Sequence, residues 1–208
     1  MEITSPLIDK YMRSLRNRPD PVLHDMEKYA QEKHFPIIGP MVGPFLRQIA
    51  YIMGAKRILE MGSDFGYSAY WFAGGLKKGG KIICTDGSEA NHEKAQVYLK
   101  RAKIDKVIDY RVGNALDIIQ KTKGKFDIIL NDIDKLDYPR AFDLAIPRLR
   151  KGGIFISDNV LWSGRILNSK PDKATKAILE FNRKLYDSNE FYTTILPIRD
   201  GLAVAIKK

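Results

Sequence analysis

From Lys56 onward, short apolar runs alternate with stretches whose apolar residues recur at helical spacing. The runs Arg57–Met61, Lys81–Asp86, Val107–Val112, Phe126–Leu130 and Ile154–Ile156 predict strands. The run Phe126–Leu130 and its second copy, Ile154–Ile156, are too continuously apolar for a half-exposed sheet, and suit strands buried on both faces. Between them the pattern predicts a helix through Leu76 and a helix capped by Ser88 with Ala95, Tyr98, Leu99 and Ala102 on one face. A short helix to Gln120 follows. The next helix places Phe142, Ala145, Ile146 and Leu149 inward and ends at Gly152-Gly153. A long helix over Asp172–Tyr186 buries Ala174, Ile178, Phe181 and Leu185. Phe191–Leu196 and Leu202–Ile206, joined by Pro197–Gly201, read as an antiparallel hairpin. Strands joined by helices require a parallel sheet, so the expected architecture is a Rossmann-like α/β sandwich. It is seven-stranded and mostly parallel, with a C-terminal antiparallel hairpin and helices on both faces.

Upstream, Leu7–Tyr29 predicts two helical segments broken at Arg18-Pro19-Asp20-Pro21. A Pro-rich turn over Phe35–Pro44 then leads to a helix with Phe45, Ile49, Ile52 and Met53 on one face. Residues 1–54 are therefore a candidate lid or dimer contact, and residues 55–208 the core of one domain. There is no internal repeat or linker. No apolar run reaches the roughly 20 residues that span a bilayer, and the start, MEITSPLIDKY, lacks the basic-then-apolar order of a signal peptide. Cys84 sits inside an apolar run as a buried strand thiol and has no second cysteine to pair with. A cytoplasmic protein with no membrane contact is expected. The net charge of +10 is compatible with an anionic partner such as RNA. Its lysines and arginines are spread along the chain, as on solvated helix faces.

The chemistry gathers where strands end. Phe126–Leu130 runs into Asn131, Asp132, Asp134, Lys135 and Asp137; Ile154–Ile156 runs into Ser157, Asp158 and Asn159. In open α/β sheets ligands bind beyond such carboxyl ends. Adjacent strands ending in Asp132 and in Asp158 with Asn159 offer oxygen donors to a hard divalent cation. Asp137, before Tyr138-Pro139, reads as a helix N-cap. Glu60-Met61-Gly62 to Gly66 is E-x-G-x-x-x-G, unlike the G-x-G-x-x-G that cradles a pyrophosphate. Its glycines let a ligand approach the backbone closely. Glu60 would repel a dinucleotide phosphate but attract an amino-acid ammonium, and Asp86 can accept ribose hydroxyls. Together they favour S-adenosylmethionine over a nicotinamide dinucleotide.

These segments carry a resemblance. PIIGPMVGPFLRQIAYIMGAKRILEMG, GYSAYW, NDIDKLDY, ISDNVLWSG and LPIRDGLAVA resemble the cation-dependent O-methyltransferases, the group of catechol and caffeoyl-CoA O-methyltransferases and their small bacterial members. The resemblance implies a class I methyltransferase fold, S-adenosylmethionine as cofactor, magnesium as metal and a homodimer. It implies Asp132, Asp158 and Asn159 as metal ligands and Lys135 as general base. The implied cofactor contacts are Ile38, Val42, Glu60, Gly62, Ser63, Ser68, Asp86, Asn114, Ala115 and Asp132. Trp162 either lines the acceptor pocket or is a core tryptophan. Departures from the family pattern are Asn131, Asp64, Asn114 and Gly87-Ser88. No obvious insertion grips coenzyme A, which favours a small phenol or catechol as acceptor. The segment LRNRPDPVLHDMEKYAQEKHFPI also resembles family members that methylate a hydroxyuridine in tRNA, which keeps tRNA as the alternative partner. The remaining alternative is a non-catalytic adenosine-binding protein with a structural metal.

Overall fold

The computed structural model describes residues 3–16 and 20–208, so the predicted break at Arg18-Pro19 lies outside the described residues. The helices are α1 (Pro6–Ser14), α2 (Pro21–Glu32), α3 (Gly39–Ile52), α4 (Tyr67–Ala73), α5 (Glu89–Arg101), α6 (Ala115–Lys121), α7 (Tyr138–Ala145) and α8 (Lys173–Asp187). The strands are β1 (Arg57–Met61), β2 (Lys81–Asp86), β3 (Ile108–Val112), β4 (Phe126–Asn131), β5 (Leu149–Ser157), β6 (Phe191–Leu196) and β7 (Leu202–Lys207). They form one sheet in the order β3-β2-β1-β4-β5-β7-β6. The first five are mutually parallel, and β7 runs antiparallel between β5 and β6. The expected architecture is the observed one.

The central strands β1, β2, β4 and β5 are buried on both faces, which explains their apolar runs, while the edge strands β3 and β6 are partly exposed. Ile58, Ile82, Ile128 and Ile156 face one core, shared with Leu46 of α3 and Phe72 of α4. Their neighbours Leu59, Ile83, Ile129 and Phe155 face the other, shared with Phe142 of α7 and Phe181 of α8. That second core contains edge-on aromatic contacts, such as Tyr138 on Phe181 at 5.2 Å between centroids.

Several local expectations are corrected. The α3 helix starts at Gly39 and carries Pro44 inside it; two prolines made this stretch look like a turn. Its buried stripe is Val42, Leu46 and Ala50, while Ile52 is 77% exposed. The i, i+4 stripe wins because small Gly43 lets Trp71 of α4 pack against the helix. The helix before β5 ends at Ala145, not at Gly152-Gly153. Leu149 pairs with Phe126, and Ile154 with Ile128, so residues 150–153 bulge out of the strand between them. On α8, Thr175 rather than Ala174 is buried. The α1 helix has no buried residue and leaves Leu7, Ile8, Tyr11 and Leu15 exposed. Among the described residues no helix is long and apolar enough to cross a membrane.

Candidate active site at the carboxyl ends of four strands

After β1 the chain turns to β2 and β3, then crosses back to β4 and β5 on the other side. The gap between β1 and β4 is the place where such sheets open a cleft. A cleft of about 350 Å³ lies there, walled by Gly62, Asp64, Asp86, Ala115, Asp132 and Ile133 among others. Five predicted cofactor residues, Gly62, Asp86, Asn114, Ala115 and Asp132, therefore share one cavity. Ile38 and Val42 do not line it; they are buried in the core beside α4.

The turn after β1 is tied down by backbone. The amides of Gly62 and Ser63 donate to the Thr85 carbonyl at 3.1 and 2.8 Å. Thr85 in turn donates its amide to Ser63 Oγ, at 3.2 Å. Gly62 has φ +83°, and a Cβ there would stand 2.2 Å from the Asp132 carbonyl oxygen. Its missing side chain thus makes room for the chain after β4, beyond the ligand approach expected from sequence. Gly62→Ala should lower stability by about 1–2 kcal/mol from the left-handed backbone alone, and push Asp132 outwards as well. A wild-type denaturation midpoint would contradict this.

Beneath the turn lies Glu60, fully buried. Its Oε2 accepts from Ser63 Oγ at 2.9 Å and from Cys84 Sγ at 3.5 Å, while Oε1 has no partner. Burial pushes its carboxyl up from 4.5 to about 7, against the hydrogen bonds from Ser63 and Cys84. Burial, with Asp132 and Asp86 nearby, raises Asp64 to about 7 as well. Asp86 is oriented by its surroundings: Oδ1 accepts from Ser88 N and Asn91 Nδ2, and Oδ2 from Asp64 N at 3.1 Å. Asn114 spends its Oδ1 capping α6, accepting from Leu116 N at 2.8 Å, and lines the wall together with Ala115 and Leu116.

At the other end, β4 and β5 bring Asp132, Lys135 and Asp158 together. Asn131 Nδ2 donates to Ser157 Oγ at 2.9 Å, and Ser157 Oγ donates to the Asn131 carbonyl at 3.3 Å. This buried polar pair locks the two strands one residue before each aspartate. Lys135 Nζ donates to Asp132 Oδ1 at 3.0 Å, to the Ile133 carbonyl at 3.2 Å and to Tyr138 Oη at 2.8 Å. Buried Tyr138 donates a hydrogen bond from its hydroxyl to the Asp158 carbonyl at 3.0 Å. Asp158 is fully buried; its Oδ2 accepts from Arg199 Nη1 at 2.6 Å and its Oδ1 has no partner. Burial and Asp132 raise its pKa. Asn159, in the left-handed region at φ 60°, donates Nδ2 to Asp200 Oδ2 at 3.4 Å. Trp162 is half-buried with its ring 5.8 Å from Lys135 Nζ, which places it at the site's edge rather than in the deep core.

Asp137 does not cap α7 with its side chain; Asp134 instead caps the short turn over residues 135–137, accepting from Leu136 N. Sequence reasoning missed Tyr138, Arg199 and Asp200. Tyr138 follows Lys135 by one helical turn, a spacing that could have flagged it. Arg199 and Asp200 come from the β6–β7 turn, and only the tertiary fold brings them here.

Two carboxylates and an amide fit a hard cation. Among the described residues no three His, Cys, Asp or Glu side chains converge, so an amide has to complete such a set. The unpartnered Asp158 Oδ1 and the closeness of Asp132 to Asp158 are what an added cation would relieve.

Comparison with known proteins agrees with this geometry. A curated catechol O-methyltransferase of Niastella koreensis is 32% identical over 97% of this chain and 96% of its own. A caffeoyl-CoA O-methyltransferase of Medicago sativa is 30% identical over 78% of this chain and 71% of its own. The crystal structure of an O-methyltransferase from Bacillus cereus in complex with SAH superposes with a TM-score of 0.90, at 29% identity, over 100% of both chains. One from Streptomyces achromogenes, involved in tomaymycin synthesis and in complex with SAM, gives 0.88 at 26% identity over 97% of this chain and 96% of its own. The O-methyltransferase family model matches residues 15–208. With that match spanning the sheet, the cleft and both strand-end aspartates, this chain belongs to the O-methyltransferase family.

Proposed function

We propose that the protein is an S-adenosylmethionine- and divalent-metal-dependent O-methyltransferase acting on a small catechol-type or hydroxycinnamate-like acceptor. One observation carries the reading: two buried carboxylates, Glu60 and Asp158, each keep an unpartnered oxygen at opposite ends of the strand-end site. A buried oxygen left without a partner is costly, even with Arg199 on the other oxygen of Asp158, and a bound cation at each would remove that cost. At Glu60 that cation is the methionine ammonium of the donor, with Ser63 and Ser68 beside it. Asp86 takes the ribose, and the apolar wall of Ala115, Leu116 and Ile133 takes the adenine.

At the other end Asp132, Asp158 and Asn159 would hold magnesium, which would supply Lewis acidity that makes the acceptor hydroxyl more acidic. The residues of the chain do the rest. Lys135 removes the hydroxyl proton and Tyr138 fixes its position, while Trp162 borders the aromatic ring. As the new oxygen–carbon bond forms, the methyl–sulfur bond breaks and its electron pair stays on sulfur, leaving neutral S-adenosylhomocysteine. Alignment of the three atoms is the main contribution of the fold. The exposed apolar residues of α1, with Tyr51 and Ile52 of α3, support a dimer role over a lid role for the first segment.

Chelation should abolish turnover of a catechol, and Mg²⁺ should restore it. Calorimetry should detect Mg²⁺ binding to the wild type and a loss in Asp158→Asn. Full turnover in metal-stripped protein would sink the metal assignment. Assaying undermodified tRNA beside the catechols decides the acceptor: methylation of tRNA alone would replace the small-phenol reading with the tRNA one.

A further inference from the structure

Arg199 sits in the turn between β6 and β7 with φ 54°, a conformation that L side chains rarely adopt. Backbone strain of this kind persists where the surroundings enforce it, and it clusters at functional positions. The guanidinium reaches back to Asp158, and that ion pair is its one hydrogen-bonded contact among the described residues. Its partner is fully buried, yet the arginine side chain stays 33% exposed. A guanidinium carries five N–H donors in a planar fork. Arg199 lines two grooves, one that also holds the carboxylate of Glu27 and one that also holds those of Asp9 and Asp200. One, of about 460 Å³, runs past Phe35, Pro36 and Pro40; the other, of about 470 Å³, runs past Pro6, Asp9 and Ser163. Arg13 of α1 lines both grooves.

The charge layout gives this position meaning. The floor of the site is lined by the carboxyls of Glu60, Asp64, Asp86, Asp132 and Asp158. Lys135 spends its three N–H groups on Asp132, Ile133 and Tyr138. An anion set back from the reacting hydroxyl would meet Arg199, whose N–H donors beyond the one on Asp158 are unspent among the described residues, whereas Arg13 is already paired with Asp9 at 2.5 Å. A residue serving only to neutralise Asp158 needs neither exposure nor a strained turn.

We infer that Arg199 is a specificity-determining residue which selects acceptors carrying a carboxylate or phosphate set back from the reacting hydroxyl. The inference rests on the proposed placement of the acceptor at the Asp132–Asp158 end. Bidentate recognition of either anion matches the fork geometry.

The test uses paired acceptors that differ only in the anion: catechol against 3,4-dihydroxybenzoate, and 5-hydroxyuridine against its 5′-monophosphate. In the wild type the charged member of one pair should have a kcat/KM ~10–100-fold higher, as charge-assisted hydrogen bonds give. The pair showing it identifies carboxylate or phosphate. Arg199→Gly, which suits the left-handed turn, should bring the ratio to about one, and Arg199→Lys should keep part of it. A purely structural arginine would lower both members alike and leave the ratio unchanged. That result, or no preference in the wild type, overturns the inference while methyl transfer to catechol stands. If no acceptor turns over, the functional reading fails separately. Calorimetry of 3,4-dihydroxybenzoate and uridine 5′-monophosphate on the S-adenosylhomocysteine-saturated protein then decides: equal binding by wild type and Arg199→Gly overturns the inference, and weaker binding by the variant upholds it.

Discussion

Lys135→Ala should lower turnover by ~10²–10⁴, the usual share of a positioned general base, with donor affinity nearly intact. The donor's expected contacts at Glu60 and Asp86 are made without Lys135. The deficit should narrow as pH rises, because hydroxide then ionises the acceptor hydroxyl without help. Lys135→Arg should rescue poorly. The lysine nitrogen fits between Asp132, the Ile133 carbonyl and Tyr138 at 2.8–3.2 Å; a guanidinium is too broad for that nest and cannot accept a proton. A pH–rate profile of the three proteins at saturating Mg²⁺ checks this. An arginine variant as active as wild type near neutrality would reduce Lys135 to an electrostatic role. Tyr138→Phe offers a graded control, since it removes one of the three partners and should lower kcat more than it raises KM.

Glu60→Gln should make the ligand-free protein more stable and the enzyme worse. Burial raises the carboxyl to about 7 in the folded state, against an ordinary value of 4.5. A carboxyl raised in this way binds its proton more tightly when folded. Its ionisation therefore costs stability progressively as pH climbs from 4.5 to about 7, and fully above that. At pH 8 the glutamine variant should gain about 1–3 kcal/mol over wild type without ligand, and the gain should vanish towards pH 4.5. S-adenosylmethionine affinity should fall ~10–100-fold, because the ammonium loses its counter-charge. Denaturation at several pH values, with calorimetry of the donor, tests both halves. A variant less stable at every pH that still binds the donor normally would make Glu60 only an acceptor for Ser63 and Cys84.

What could be read in the sequence was what depends on period and position. The runs over β1, β2, β4 and β5 were legible because each lies between two cores, and Asp132 and Asp158 because they follow directly on two of those runs. What could not be read depends on partners distant in sequence. The helical start at Gly39 is concealed by Pro40 and Pro44, which carry local breaker signals that packing on α4 overrides. Gly152-Gly153 looks like a helix stop, and only the pairing of Leu149 with Phe126 reveals a bulge within β5. The Arg199–Asp158 pair spans 41 positions, and no local spacing rule announces it.

Gly62 and the Asp132 carbonyl touch across the gap between β1 and β4. The loop proposed to carry the donor and the strand end proposed to serve the acceptor are therefore in direct main-chain contact. On the proposed placement of donor and acceptor, the distance the methyl group travels is then set by the backbone, and a side chain at position 62 would disturb it. Diversification is pushed outward, to the segment over Trp162–Leu167 and the turn over 197–201, which meet each other through Leu161, Ser163 and Asp200. A lineage built on this frame can exchange acceptors by altering those two segments while the transfer step stays as it was. For engineering, libraries belong there, and positions 60–66 and 131–135 are best left untouched.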